Sequence, residues 1–329
     1  MTVERVLVTG AGGFIGSNLV DDQLARGRRV TAVDLHLDRL DHLLDNPACE
    51  LVTGDIRDVA LLEKTIPGHD VVFHLASAHL EVGVPDSFFE EVNVDAVRHV
   101  ADIARRAGVG RLVHCSSVGV YGPLDHLPAN EDTACAPDIP YEITKLAGEA
   151  VIRDHAGSLD WVIVRPSWVY GPRCPRTLKL FRAIGSGKFF KVGSKKTFRH
   201  PVYITDMLQG FELAATKPSA IGETLIIGAA EPVSLDDLIA AVALAQDKQF
   251  RPLTVPMLVM WPACLAAELV FGVLGKEPPF SRRSLKFFTE SSAFDISRAR
   301  HVLGYDPQVS IDDGLRMTRE HFVREGLLQ

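Results

Sequence analysis

Three groups of residues carry the chemistry this sequence can perform. Tyr141 and Lys145 stand four apart in Tyr141-Glu-Ile-Thr-Lys145. On a helix those positions share a face, so a phenol and an ammonium meet in one site. A neighbouring positive charge favours the phenolate and lowers a tyrosine pKa, which would let Tyr141 act as a base near neutral pH. A tyrosine with a lysine four later arises easily by chance. However, Tyr121, Tyr170, Tyr203 and Tyr305 lack that partner, and only Tyr141 follows a serine-bearing strand end. That strand end is Cys115-Ser-Ser-Val-Gly-Val-Tyr-Gly122, closing the run that begins at Arg111. Serines at the carboxyl end of a parallel strand face the crevice where such sheets bind ligands. The Ser117 hydroxyl can there polarise a substrate oxygen; its plainer reading is a strand-end turn.

The third group is Thr9-Gly-Ala-Gly-Gly-Phe-Ile-Gly16, directly after an apolar strand-like run and opening a helix-like one. Gly10 permits a tight turn, Gly13 lets the backbone approach a pyrophosphate, and Gly16 lets the helix pack on the sheet. The helix N-terminus offers amide hydrogens and a positive dipole end to phosphates. Asp34 closes the next strand at the distance expected of a ribose ligand. Its carboxylate accepts from ribose hydroxyls and repels a 2′-phosphate, and Leu35 offers that phosphate no cation. NAD is expected over NADP. Asp55 ends the third strand and reads equally as an adenine contact or as a turn former.

These groups need a scaffold, and the chain supplies one. Residues 5–9, 29–33, 51–53, 70–75, 111–115 and 161–164 are short, β-branched, unalternated runs. Such runs suit strands buried on both faces of a parallel sheet. Helix-like stretches at 14–27, 87–108 and 141–156 separate them. The pattern predicts an α/β fold: a Rossmann-type, doubly wound parallel sheet with right-handed crossovers. After Val164 the spacing becomes irregular, which predicts a smaller C-terminal substrate-binding lobe. The expected division is 1–172 for the dinucleotide domain, with a returning segment near 200–229, and 173–329 mainly for the substrate lobe.

Composition narrows the function classes. The chain has 329 residues, 47% hydrophobic and 23% charged, with Lys+Arg 35 against Asp+Glu 42 and a net charge of −7. No basic run appears, so nucleic acid is not an expected partner. The five cysteines form no C-x-x-C pair, so neither a metal site nor a disulfide scaffold is expected. With no leader-like start, a cytoplasmic enzyme acting on a small molecule is the expectation. Residues 254–275 are the most apolar stretch, with Glu268 as their only charge. Pro256 and Pro262 would interrupt a spanning helix. A buried helix or pocket wall is the first reading, and contact with a membrane surface the second.

Taken in order, the glycine motif, Asp34, His74-Leu-Ala-Ser-Ala78, Asn93-Val94, Ser117 with Val120-Tyr-Gly122, the Tyr141/Lys145 pair, and Arg165-Pro166 resemble the extended short-chain dehydrogenase/reductase family. The tail Phe294-Asp-Ile-Ser-Arg-Ala-Arg to Leu303-Gly-Tyr-Asp-Pro307 continues the resemblance. It implies Tyr141 as acid/base, Lys145 as its activator and a ribose ligand, and Ser117 as donor to the substrate oxygen. It also implies NAD contacts from Gly10, Gly13, Phe14, Ile15, Gly16 and Asp34. Further NAD contacts follow from Asp55, Ile56, Leu75, Ala76 and Pro166. Asn93 would support the helix behind the site, and a homodimer would form through residues 87–108 and 141–156.

Three branches of that family compete. The 4,6-dehydratases carry an Asp-Glu pair after the active hydroxyl, where this chain has Val118-Gly119; dehydration is not expected. Nucleotide-sugar 4-epimerases carry an Asn where this chain has Trp168, although Arg173 and Arg199 match their cationic diphosphate ligands. The 3β-hydroxysteroid dehydrogenase-like branch shares Arg165-Pro166 and the apolar stretch before 276–282. A dehydrogenase of a lipophilic secondary alcohol is therefore the first expectation, and a 4-epimerase with tightly bound NAD the alternative.

Overall fold

In the computed structural model the described residues are 3–79, 83–273 and 282–328. The first half alternates strand and helix: β1 (Arg5–Thr9), α1 (Phe14–Ala25), β2 (Arg29–Asp34), β3 (Cys49–Thr53), α2 (Val59–Thr65) and β4 (Val71–His74). Then come α3 (Asp86–Glu90), α4 (Ala96–Arg106), β5 (Arg111–Cys115), α5 (Pro140–Arg153) and β6 (Trp161–Pro166). A π-helical turn, Glu91–Asp95, joins α3 to α4.

The second half is β7 (Trp168–Tyr170), α6 (Pro175–Gly185), β8 (Phe190–Val192), β9 (Phe198–Arg199), β10 (Pro201–Tyr203) and α7 (Ile204–Thr216). It continues with β11 (Thr224–Ile227), β12 (Val233–Ser234), α8 (Leu235–Leu244) and β13 (Leu253–Val255). Four helices end the chain: α9 (Met257–Val273), α10 (Arg282–Thr289), α11 (Ser297–Leu303) and α12 (Ile311–Arg324).

Seven strands form one parallel sheet in the order β11-β6-β5-β4-β1-β2-β3. The order reverses between β1 and β4, and ligands bind such sheets at the carboxyl ends flanking that reversal. Both faces are covered, which explains the unalternated strands. Val6 and Val8 of β1 join the core with Leu19 of α1 and Phe211 of α7. Leu7, one residue along and therefore on the other face, packs with Val100 of α4 and Ile152 of α5. The doubly wound fold expected from the sequence is present. β11 joins the far edge, with Ile227 opposite Pro166.

The apolar 254–275 stretch behaves differently from its first reading. It forms β13, paired with β8, and then α9, which packs Cys264 inward but leaves Leu258 88% and Leu269 65% exposed. A one-sided apolar pattern would have been buried. This helix is apolar on both sides, so packing one side leaves the other in water. Among the described residues no helix is long and apolar enough to cross a membrane. Residues 274 and 275, and 276–281 of the wall expected beyond them, lie outside the described residues.

Candidate active site

The site forms where β1, β4, β5 and β6 end, around a cavity of about 480 Å³. Gly10, Gly13, Phe14, Ile15 and Gly16 line one side, Leu75 and Pro166 another, and Ser117, Tyr141 and Lys145 a third. The sequence-expected catalytic and glycine-loop residues are thus brought to one place.

The glycine loop fits a dinucleotide. Gly10 sits at φ +71°, and a Cβ there would lie 2.5 Å from the Ala76 nitrogen, which requires glycine at this turn. A Cβ on Gly13 would meet only the Gly10 carbonyl oxygen, at 3.2 Å, so its outer side is bare for a phosphate. No side chain caps the N-terminus of α1, leaving first-turn amides for an anion. Asp34 Oδ2 accepts from the Gly12 amide at 2.9 Å, and Oδ1 accepts from the His36 amide at 3.2 Å. Arg39 donates to the Gly12 carbonyl at 2.8 Å. Arg39 and Asp34 thus meet on Gly12, a cation near the ribose end that Leu35 does not reveal.

Asp55 and Ile56 stand apart from the cavity wall. Asp55 pairs with Arg57 at 2.7 Å, and that guanidinium holds its carboxyl below the usual range. Ile56 packs with Ala78 and Phe89.

Lys145 is buried and donates to the Cys115 carbonyl at 2.6 Å. Ser117 caps the short turn after β5, its Oγ accepting from the Gly119 amide at 3.0 Å. That fixes the hydroxyl beside Tyr141, with which it is hydrogen bonded. The expected fall in the Tyr141 pKa is corrected here. Burial, the largest influence, pushes the phenol up, while the Ser117 hydrogen bond and the Arg176 charge oppose it. The i, i+4 spacing does place Lys145 on the same helix, but its ammonium is turned to the Cys115 carbonyl. Burial also pushes Lys145 itself down.

Behind these groups lies a rigid frame. Asn93 accepts from the Ala78 amide at 2.9 Å and donates to Thr144 Oγ1 at 3.0 Å, tying α5 to the strand end after β4. Glu149, fully buried, receives Arg165 at 2.6 Å and Ser116 Oγ at 2.6 Å. The end of β5, α5 and β6 are thereby locked together.

The two arginines proposed for a diphosphate are not in the cavity. Arg173 pairs with Asp21 of α1 at 2.7 Å and lines neither this cavity nor its neighbour. Arg199 lines the neighbouring cavity but is spent on backbone. It donates to the carbonyls of Glu290, at 2.6 Å, and Phe287, and lies 4.7 Å from the Phe287 ring centroid. Two groups that sequence spacing missed do line the cavity. The His79 ring packs edge-on against Tyr141 at 4.3 Å and meets Arg176 of α6. Pro175 starts α6, so Arg176 stands in its first turn at the cavity wall. No sequence signal marks it beyond its place in a Pro-rich junction. Val118, Arg176, Ser292 and Phe294 line both this cavity and a second one of about 390 Å³, so the two adjoin.

Comparison with known proteins agrees with this geometry. Residues 6–228 match the NAD dependent epimerase/dehydratase family. The chain is 33% identical to a UDP-glucose 4-epimerase of Mycolicibacterium smegmatis, over 97% of this chain and 98% of that one. It is 28% identical to a 3 beta-hydroxysteroid dehydrogenase/Delta 5-->4-isomerase of Mycobacterium tuberculosis, over 97% and 90%. A solved UDP-glucuronic acid 4-epimerase from Bacillus cereus, in complex with UDP-glucuronic acid and NAD, superposes with a TM-score of 0.78. It is 25% identical, over 98% of this chain and 99% of that one. The chain belongs to the NAD dependent epimerase/dehydratase family, within the extended short-chain dehydrogenases/reductases, and its cofactor is NAD.

Proposed function

We propose that this family member is a 4-epimerase of a sugar carried on a nucleoside diphosphate, the alternative in the sequence reading. The observation that carries it is the paired cavity. The sugar ring fits at Ser117 and Tyr141, and past Arg176 the second cavity gives the nucleotide room. The likeness to sugar-nucleotide epimerases in sequence and in structure supports the same reading.

In the proposed reaction Ser117 donates to the substrate oxygen and holds it against Tyr141. Tyr141, in its ionised form, takes the hydroxyl proton as the carbon is oxidised and gives it back after the ring turns its other face. Lys145, fixed on the Cys115 carbonyl, keeps a positive charge one helical turn from the phenol. NAD, when bound, supplies the hydride acceptor and donor. Much of the rate comes from holding the reacting groups in near-attack geometry. Proton and hydride both return to the substrate, so a full cycle consumes neither. Residues 1–172, with a returning segment near 200–229, form the NAD-binding part, and 173–329 mainly the substrate lobe. A homodimer through residues 87–108 and 141–156 completes the proposal.

A second reading, dehydrogenation of a lipophilic secondary alcohol, is favoured by one observation. Trp168 and Phe294 present apolar walls to the catalytic cavity, while Arg199 is committed to carbonyls. Incubating purified protein with UDP-glucose, UDP-galactose or UDP-glucuronic acid and no added cofactor separates the readings. Interconversion of a 4-epimer pair is expected. Its absence, with NADH accumulating when a hydroxysteroid and NAD are supplied, overturns the epimerase in favour of the second reading.

A further inference from the structure

The outer face of α9 has no function in the chemistry above. Leu258, Val259, Pro262, Ala266, Leu269 and Val270 are exposed and recur at helical spacing, so they form one stripe about 18 Å long. Trp261, 48% exposed, stands beside it. A helix on a water-facing surface normally carries polar residues there, and this one has only Glu268. Cations gather at one end of the stripe, where the β8–β13 ribbon meets the helix start. Residues 161–205 contain ten Lys and Arg and no Asp or Glu, in a chain whose net charge is −7. Of these, Lys195 and Lys196 are exposed just after β8, at the ribbon end nearer α9, whereas Lys188 and, outside that run, Arg251 are exposed at its far end. The β8–β13 ribbon leads directly into α9, and Lys195 lines a cleft with Pro256 and Met257 at the helix start.

An apolar stripe with an amphipathic indole and a basic end is the chemistry of a helix lying in a lipid interface. We propose that α9 docks this protein on an anionic membrane surface. Leu258, Val259, Trp261, Leu269 and Val270 enter the acyl boundary, and Lys195 and Lys196 meet headgroup phosphates. Docking would also bring the second cavity near the bilayer, since α9 packs on α10, whose Lys286 and Phe287 line that cavity. The proposal does not depend on which substrate the cavity takes.

Flotation of the full chain with vesicles tests it. Vesicles of phosphatidylcholine with phosphatidylglycerol should carry the protein up, phosphatidylcholine alone should carry far less, and high salt should release it. Brominated lipid should quench Trp261, since Trp161 is buried and Trp168 faces the catalytic cavity. Leu258→Glu with Leu269→Glu should abolish flotation. Lys195→Glu with Lys196→Glu, which leaves α9 intact, should lower binding at least about tenfold. Both pairs should keep wild-type turnover, which reports an intact fold. Failure of the wild type to float on anionic vesicles, or flotation unchanged in both pairs, overturns the proposal. A gel-filtration dimer that Leu258→Glu with Leu269→Glu splits, without vesicle binding, overturns it in favour of a second copy of the chain.

Discussion

His74 and His114 lie side by side on β4 and β5, ring centroids 5.5 Å apart and fully buried, and should make this fold acid-sensitive while most carboxylates are still ionised. His74 is pushed down to about 3 by burial and then by the charge of Lys145. His114 is pushed well below the usual range by burial first, with Lys145, His74 and Arg153 adding to it. Both are therefore neutral in the fold, whereas the unfolded chain protonates them below about 6.5. The stability from keeping them neutral is whole above that value and is lost as pH falls toward the folded values. At pH 5 the unfolded state gains about 2 kcal/mol from His74 alone, at about 1.4 kcal/mol per unit over one and a half units. His114 adds a contribution of the same sign. Among the described residues neither ring nitrogen of His114 has a hydrogen-bond partner, so His114→Leu sacrifices no bond at pH 7. Urea unfolding of wild type and His114→Leu at pH 7 and pH 5 measures the effect. The wild type should lose the more stability on acidification. Equal losses in the two proteins would refute the argument that burial holds His114 neutral.

Further outcomes follow from the site. Tyr141→Phe should lower turnover between about a hundred and ten thousandfold while NAD still binds, as calorimetry with NAD checks. Because Ser117 opposes the upward push on Tyr141, Ser117→Ala should move the rising limb of the pH–rate profile to higher pH as well as lowering the rate. Asp34→Ala should narrow the preference for NAD over NADP by about tenfold. It removes a carboxylate from the 2′-position and leaves Arg39, held on the Gly12 carbonyl, as the cation nearest a phosphate there; the two dissociation constants decide it. Glu149→Gln should cost about 3 kcal/mol in urea unfolding, because it leaves the buried Arg165 charge without its counter-ion.

What the sequence makes legible follows from burial. β1 through β6 are readable because both faces of the sheet are covered, so Val6, Leu7 and Val8 must all be apolar. The glycine loop is readable because Gly10 alone satisfies a left-handed turn against Ala76. Ser117, Tyr141 and Lys145 converge because a strand end and an i, i+4 pair are local patterns that topology then brings together. Long-range choices are not written locally. Arg173 and Arg199 have family-like spacing, yet one pairs with Asp21 and the other donates to carbonyls at the end of α10. Arg176 reaches the cavity only because Pro175 starts a helix there. The Tyr141 pKa went the other way because burial outweighs a charge whose ammonium points at a carbonyl. The outward face of α9 was hidden because hydropathy reports apolar content and not which side the core covers.

In the proposed epimerase, hydride leaves and returns to the same carbon within one cycle, and an isotope follows it directly. UDP-glucose carrying deuterium at C4 is incubated with the protein in the presence of excess unlabelled NAD and NADH, and the product is read by mass spectrometry. UDP-galactose that keeps its deuterium is expected, with none in the free cofactor pool. Deuterium appearing in free NADH, or product whose C4 carries only protium, would contradict it.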